Sequence, residues 1–434
     1  MTEPAAVSAE SPPAGQNQSL FHHRDFRRLW IGDAVSQIGS QVSFLALPLV
    51  AVNTLHATAF EIGALTACET AAFLLVGLPA GAWCDRVRRR PILIAADIGR
   101  ALTLGSVPVA ALMHKLTIGQ LFVVALLTGV LTVFFDVAYQ SYLPELVSND
   151  QLVDGNGKLE ATRAVSQIAG PSLGGFLVQA LKAPYAVAAD AISFLWSAAW
   201  VTAIRAREPE PAKPEQRNLA KEIGEGLRFV LGHPILRKIA GCTGSFNLCS
   251  SASFALEILF LVRNVHLSPG GIGLLFSVGS VGALLGALTS GRISNWLGQA
   301  RTIWVAAAFD APAGLLLPLT HHDWRLGLTA LGLFLGSFGT VVYNVAQVSF
   351  RQGITPRPLL GRMNATMRFL VWGTMPLGGL LGGWLGTEFG IRHALWISAV
   401  AILLAPLWVI FSPLRTMRDL PTGAANDTDA VPAD

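Results

Sequence analysis

The chain carries one pattern of residues twice. Asp136-Val137-Ala138-x-x-Ser141 returns as Asn344-Val345-Ala346-x-x-Ser349, 208 positions later, and Leu152 with Asn156 returns as Leu360 with Asn364 at the same offset. Gly81 with Asp85 returns as Gly291 with Asn295, and Arg27-Arg28-Leu29 as Arg237-Lys238-Ile239, both 210 positions on. An offset near half of the 434 residues predicts two halves of like plan. Around these marks run twelve apolar stretches, each near the roughly 20 residues that a helix needs to cross a hydrocarbon core. The expected spans are 29–53, 60–83, 91–113, 118–142, 160–181, 184–204, 238–262, 271–296, 301–320, 325–349, 366–387 and 391–411.

Composition agrees with lipid as the main solvent. Hydrophobic residues make up 52% and charged residues 13%, with a mean hydropathy of +0.51, whereas soluble domains charge about a quarter of their residues. Weak duplication within a set of membrane spans points to a transporter built from two related bundles. The basic residues sort by side: 23 Lys and Arg fall on one side of the membrane and five on the other (Lys115, Lys182, Arg263, Arg325 and Arg392). That asymmetry places both termini and the long central loop in the cytoplasm. It also accounts for the net charge of +4 without a nucleic-acid partner.

The expected division is a disordered N-terminus over 1–24, a six-helix bundle over 25–206, a linker over 207–234, a second bundle over 235–412 and a tail over 413–434. The linker holds Glu208-Pro209-Glu210-Pro211, then an amphipathic stretch with Leu219, Ile223, Leu227, Val230 and Leu231 on one face. Such a helix suits the cytoplasmic membrane surface. Residues 1–20 lack the basic-then-apolar order of a signal peptide. Cys68, Cys84, Cys242 and Cys249 show no paired spacing and read as small core residues.

Polar residues inside spans face protein or water, so their spacing outlines a cavity. Asp33, Gln37 and Gln41 recur every fourth residue in the first span, as do Thr128, Thr132, Asp136 and Gln140, beside Tyr139, in the fourth. The seventh offers Asn247, Ser250, Phe254 and Glu257, and the tenth Ser337, Thr340, Asn344 and Gln347, next to Tyr343. These four helices are expected to line a central aqueous chamber that holds the substrate, with Phe135, Tyr139, Tyr343 and Trp372 suited to a large, partly apolar ligand. The stripes hold little positive charge, which argues against a strongly anionic one.

Charged residues expected well inside spans are Asp33, Glu69, Asp97, Arg100, Asp136, Arg163, Asp190, Glu257 and Asp310. A carboxylate held there without a partner can exchange a proton near neutral pH. Asp97 and Arg100 are spaced to pair with each other. Asp33, Glu69 and Asp136 have no partner within one helical turn and are the leading proton sites, with Glu257 a fourth. Arg163 joins them as a proton-coupling candidate; the alternative is that these acids serve in interhelical salt bridges, with Arg163 neutralising Asp136 or Asp33.

Gly81-Ala82-Trp83-Cys84-Asp85-Arg86-Val87-Arg88-Arg89-Arg90 resembles the Gly-x-x-x-Asp-Arg-x-x-Arg-Arg loop between helices two and three of the major facilitator superfamily. The resemblance implies an all-α membrane protein with twelve transmembrane helices in two pseudo-symmetric six-helix bundles. It also implies a gating role for Gly81, Asp85, Arg86, Arg89 and Arg90. Gly170-Pro171-Ser172-Leu173-Gly174-Gly175 is similar to the antiporter motif of that superfamily, which implies export through Gly170, Pro171, Gly174 and Gly175. From about Phe26 to Phe411 the chain resembles the drug-efflux branch that contains macrolide exporters and the enterobactin exporter. The basic residue that many drug exporters carry in the fourth span is absent here.

The resulting expectation is a proton-coupled exporter of hydrophobic or amphipathic small molecules; a siderophore or metabolite exporter, an importer, and a sensor without transport are the rivals. Its expected partners are a small-molecule substrate, protons and the lipid bilayer, with one copy as the working unit and no cofactor or metal. The sequence contains no phosphate loop and no His-Glu-x-x-His, so ATP hydrolysis within this chain and the metalloprotease chemistry of that motif are not expected, and no enzymatic activity is expected.

Overall fold

A lone apolar segment satisfies its backbone in lipid by forming a helix. The computed structural model describes residues 20, 23–84, 87–147, 151–206, 208, 219–356 and 359–419, and its regular structure there is helical. The first half holds α1 (Arg24–Leu49), α2 (Ala59–Cys84), α3 (Arg89–Leu112), α4 (Ile118–Leu146), α5 (Leu152–Leu181) and α6 (Ala183–Thr202). After α7 (Leu219–Gly232) come α8 (Leu236–Arg263), α9 (Pro269–Leu297), α10 (Gln299–Asp310), α11 (Leu326–Gly353), α12 (Leu360–Trp372), α13 (Thr374–Phe389), α14 (Ile391–Ile402) and α15 (Leu407–Ile410).

Several spans depart from expectation where the backbone lacks a donor or carries polar residues. The first starts earlier, at Arg24, and beyond Pro48 widens into a π-turn over Val50–Thr54, since proline leaves an unpaired carbonyl a turn before it. The fifth begins at Leu152, not 160. The ninth is α-helical only to Asp310 and continues as a 3-10 turn over Ala311–Leu316, which contains Pro312. The eleventh and twelfth are each split, at Gly373 and after Ile402. By length and apolarity alone, eight of the described helical segments qualify as spans; α5, α6, α10 and the α12–α13 pair are diluted by polar residues or interrupted.

The duplication reaches the packing. In the first half α1 packs on α5 and α6, α3 on α4 and α6, and α2 on α4. The second half repeats this: α8 packs on α13 and α14, α10 on α11, the 311–316 turn on α14, and α9 on α11. Caps recur too, at offsets of 208–211 positions. His23 Nδ1 accepts from Phe26 N at 3.1 Å, and His233 Nδ1 from Ile235 N and Leu236 N at 3.2 and 3.4 Å. Thr58 and Ser268 cap α2 and α9. Left-handed turns fall at His56 (φ 52°) and His266 (φ 58°), and again at Lys182 (φ 67°) and Gly390 (φ 81°). Glu208 accepts from the amides of Arg89 and Arg90 at 2.6 and 2.7 Å. At the matching place Asp419 accepts from Gln299 N at 3.1 Å, and the Arg418 carbonyl from Ala300 N at 3.0 Å.

The two halves meet through α2 with α13, α5 with α9, and α1 and α2 with α8. We call the end where α1, α3 and α5 begin the terminal end, and the other the far end. At the far end backbones touch through glycine: a Cβ on Gly63 would lie 2.4 Å from the Gly379 carbonyl oxygen, and one on Gly273 2.2 Å from that of Pro171. A single buried apolar layer there draws on both halves, including Leu45, Leu49, Leu256 and Phe260. Phe44 stacks on Phe254 with centroids 5.4 Å apart, and Arg263 donates to the Ala57 carbonyl at 2.8 Å. At the terminal end each buried cluster belongs to one half only. Among the described residues the midline is thus sealed at the far end and parted at the terminal end.

Helix α7 lies against α12: Arg362 donates to Glu225 at 2.5 Å and Gly226 sits under Thr366, while Leu227 and Leu231 stay exposed. Residues 1–19, 209–218 and 420–434, which include most of the expected disordered ends and the first part of the linker, lie outside the described residues. Leu20, within the stretch expected to be disordered, is instead buried in the same cluster as Phe26, whose ring α1 turns inward.

Candidate functional site

The first half places a dense polar centre between α1, α3, α4 and α6. Asp33 is 3% exposed, accepts from Gln37 Nε2 at 3.3 Å, and has the Tyr139 hydroxyl beside it. It therefore has partners, contrary to expectation: a glutamine one turn along α1 reaches back to it. Arg100 pairs with Asp97, its guanidinium held between the rings of Phe135 and Phe194 at 4.2 and 4.1 Å. Asp190 of α6 accepts from Ser193 at 3.0 Å. Asp136 feels the charges of Arg100, Arg163 and Arg368, but none of them is within ion-pairing distance of it among the described residues. Arg163 is exposed and forms no salt bridge with Asp33 or Asp136.

The matching centre of the second half is smaller. Thr340 donates to Asp310 Oδ2 at 2.8 Å, the Thr243 and Tyr343 hydroxyls bond at 2.7 Å, and Asn247 donates to the Val371 carbonyl at 3.1 Å. These groups and Asn344 line a cavity of about 30 Å³, room for a water molecule or two. Sequence reasoning did not single out Asp310 as a site, yet a signal was present: it stands 210 positions after Arg100, so the duplicated position carries the opposite charge. Gln347 is buried, its Nε2 3.5 Å from Asn344 Oδ1.

The other expected residues are dispersed. Phe254 belongs to the far-end aromatic seal, and Glu257 is buried in the same zone with Oε1 unpartnered among the described residues. Glu69 is half-buried near the middle of α2, Thr132 half-buried on α4, and Gln140 exposed. Gln41 turns to α5, where a Cβ on Gly170 would fall 2.4 Å from its own. Gly174 meets the α1 backbone at Val42, Gly175 meets Pro269, and the Pro171 carbonyl faces Gly273. Trp372 packs edge-on against Phe73 of the opposite half at 5.0 Å, with Arg368 over its ring at 4.9 Å.

Of the expected gating loop, Gly81 lies in the last turn of α2, and Asp85 and Arg86 lie outside the described residues. Arg89 pairs with Glu145 of α4, and Arg90 donates to the carbonyls of Val201 and Thr202 at 3.2 and 2.5 Å. All of these partners are in the loop's own half. Among the described residues no cluster of His, Cys, Asp and Glu could hold a metal.

Known proteins agree with this architecture. The multidrug efflux pump Tap of Mycolicibacterium fortuitum is 27% identical over 407 residues, covering 88% of this chain and 94% of Tap. The enterobactin exporter EntS of Citrobacter koseri is 24% identical over 414 residues, 93% and 96% of the two chains. A bacterial homologue of the human lysosomal transporter Spinster, solved in an inward-facing, unoccupied conformation, superposes with a TM-score of 0.73 at 14% identity, covering 92% of this chain and 98% of that one. A family described as transmembrane secretion effectors matches residues 17–432. Twelve spans in two duplicated bundles, the far-end seal and this match over nearly the whole chain make it a member of the transmembrane secretion effector family of the major facilitator superfamily.

Proposed function

We propose that the chain is a proton-coupled secondary exporter that carries hydrophobic or amphipathic small molecules out of the cell by alternating access. In this reading it sits in the cell membrane with both termini cytoplasmic, and it divides into bundles over 25–206 and 235–412 joined by the 207–234 linker. One observation carries it: the midline is closed at the far end by glycine contacts and parted at the terminal end, which is one of the two states that alternating access requires. Because the positive-inside rule makes the terminal end cytoplasmic, this is the inward-open state. Efflux by Tap and export by EntS support the outward direction.

The proton route runs through carboxylates. Asp33 and Asp136 border the parted half, Glu69 lies near its upper limit and Glu257 within the seal, so a proton entering from outside meets Glu257 once the far end opens; Arg163 tunes Asp136 through its charge. Gln37, Gln41, Thr132, Tyr139, Gln140, Asn247, Phe254, Tyr343, Asn344, Gln347 and Trp372 contribute to substrate binding across the cycle. The Gly81–Arg90 loop governs opening at the cytoplasmic end.

Hits from a toxicity screen in an efflux-deficient host supply substrates for inverted vesicles energised to be acid inside. Uptake should collapse with a protonophore, and Asp136→Asn and Glu69→Gln should each reduce it about tenfold or more. Unchanged proton-driven uptake in both variants removes these residues from the mechanism, and uptake indifferent to the protonophore removes proton coupling.

A further inference from the structure

The small cavity of the second half sits where two membrane spans are interrupted. Helix α10 gives way at Asp310 to the 3-10 turn over Ala311–Leu316, and the last span breaks between α14 and α15, where Ala405 and Pro406 reach the cavity wall. Within a membrane such breaks line cavities, and the carbonyl end of an interrupted helix favours a cation. Asp310 stands at that end of α10. Its side chain is 7% exposed, its donor is the neutral hydroxyl of Thr340 at 2.8 Å, and among the described residues no Lys, Arg or His lies within ion-pairing distance of it. A buried carboxylate so placed is unfavourable unless a cation joins it. The rest of the wall offers acceptors. Thr243 donates its hydroxyl hydrogen to the Ile239 carbonyl at 2.9 Å, so the 2.7 Å bond between Thr243 and Tyr343 uses the hydrogen of Tyr343. Thr340 gives its hydrogen to Asp310, and Asn247 turns its amide nitrogen to the Val371 carbonyl at 3.1 Å. Lone pairs on Thr340, Tyr343 and the Asn247 amide oxygen are left around the carboxylate. A water molecule brings two hydrogens to this wall, fewer than the acceptors it meets.

We infer that this niche binds one sodium ion, held by Asp310 together with the oxygens of Thr340, Tyr343 and Asn247. One carboxylate balances one positive charge, and a volume of about 30 Å³ admits a sodium ion with no more than a water beside it. Divalent and transition metals call for more acidic, His or Cys ligands, and no such cluster exists among the described residues. Asn344 lines the niche and is itself exposed, which gives the ion a way in. The duplication fits the same reading. At this position the first half carries its own cation, Arg100, paired with Asp97, and the second half, with Asp310 there, takes one from solution. The bound ion would tie α8, α10 and α11 together. The inference goes beyond the exporter reading and does not depend on it, since occupancy needs no cargo.

The test uses the full chain in phosphatidylcholine nanodiscs at fixed ionic strength, with empty discs subtracted. Radioactive sodium should bind at about one ion per chain with half-saturation near about 10 mM, and potassium should compete about tenfold less well. Replacing about 100 mM choline by sodium should raise the melting temperature by about 2 °C. Asp310→Asn should abolish both effects, and Thr340→Ala should raise the half-saturating concentration about tenfold. Should Asp310→Asn fail to fold, a chain with Cys242 as its sole cysteine supplies another readout. Cys242 lines the same niche, so sodium should slow its labelling by N-ethylmaleimide about threefold relative to choline. Equal responses to sodium, potassium and choline reduce the effect to salt alone and overturn the site. Absence of sodium binding, with a melting temperature that follows pH in the wild type but not in Asp310→Asn, assigns a proton to the carboxylate and overturns it as well. Sodium binding that survives in Asp310→Asn, or that leaves Cys242 labelling unchanged, puts the ion elsewhere and does the same.

Discussion

Lys182 alone joins α5 to α6, with φ 67° and ψ 153°, a region that glycine occupies freely and lysine does not. Its duplicate, 208 positions on, is Gly390. Lys182→Gly is therefore expected to stabilise the protein by about 1 kcal/mol, seen as a rise of about 2 °C in the melting temperature in detergent. His233 makes a second case. Its neutral Nδ1 caps α8, and burial holds the imidazole below its usual 6.5. The unfolded chain then binds the proton more readily, so the cap's contribution is complete above 6.5 and is lost as pH falls through the lower folded value. Between pH 7.5 and 5 the wild type should lose about 2–4 °C relative to His233→Asn, which caps without titrating; parallel pH curves for the two proteins would exclude this role. Residue types and spacings were readable in the sequence at this scale, as with the pairing of Asp97 and Arg100. Partners from other helices were not: nothing in the order of residues places Tyr139 beside Asp33, or Arg368 in the field of Asp136.

Helices were legible from apolar length, and their ends less so, because ends depend on a few donors. Pro48, Pro312 and Gly373 were visible in the sequence, yet whether each bends, widens or splits its helix depends on what packs beside it. Glycine shows the same limit. Gly170, Gly174 and Gly175 belong to a recognisable motif, while Gly63 belongs to none and owes its role to the backbone of α13 against it. Here the backbones of α2 and α13 come so near that a side chain on Gly63 has nowhere to go. Gly63→Val should therefore hold the far end open. Ser277 of α9 bonds Ser172 of α5 across the midline at 2.7 Å; in a background free of native cysteines, Ser277→Cys should react with an impermeant maleimide added from the far side about tenfold faster when Gly63→Val is present. An unchanged rate would mean that the two helices separate without opening the path.

For the molecule as a whole, the duplication foretold two bundles, and it extends further than the motifs that revealed it. The same helix pairings, caps and left-handed turns recur although the sequences have largely diverged, because each bundle must satisfy the same backbone ends. At the polar centres Arg100 gives way to Asp310 and Asp136 to Asn344, so one half gathers charge and the other encloses a cavity of about 30 Å³. The capping of α3 by Glu208 and of α10 by Arg418 and Asp419 has a practical corollary for anyone modifying the chain. The residues just past each bundle are latches, and a reporter or affinity tag spliced in before Asp419 would undo one of them. Truncation after Thr416 should cost about 1–3 kcal/mol and reduce the yield of monodisperse protein in detergent, whereas the same tag attached beyond Asp419 should leave both unaffected.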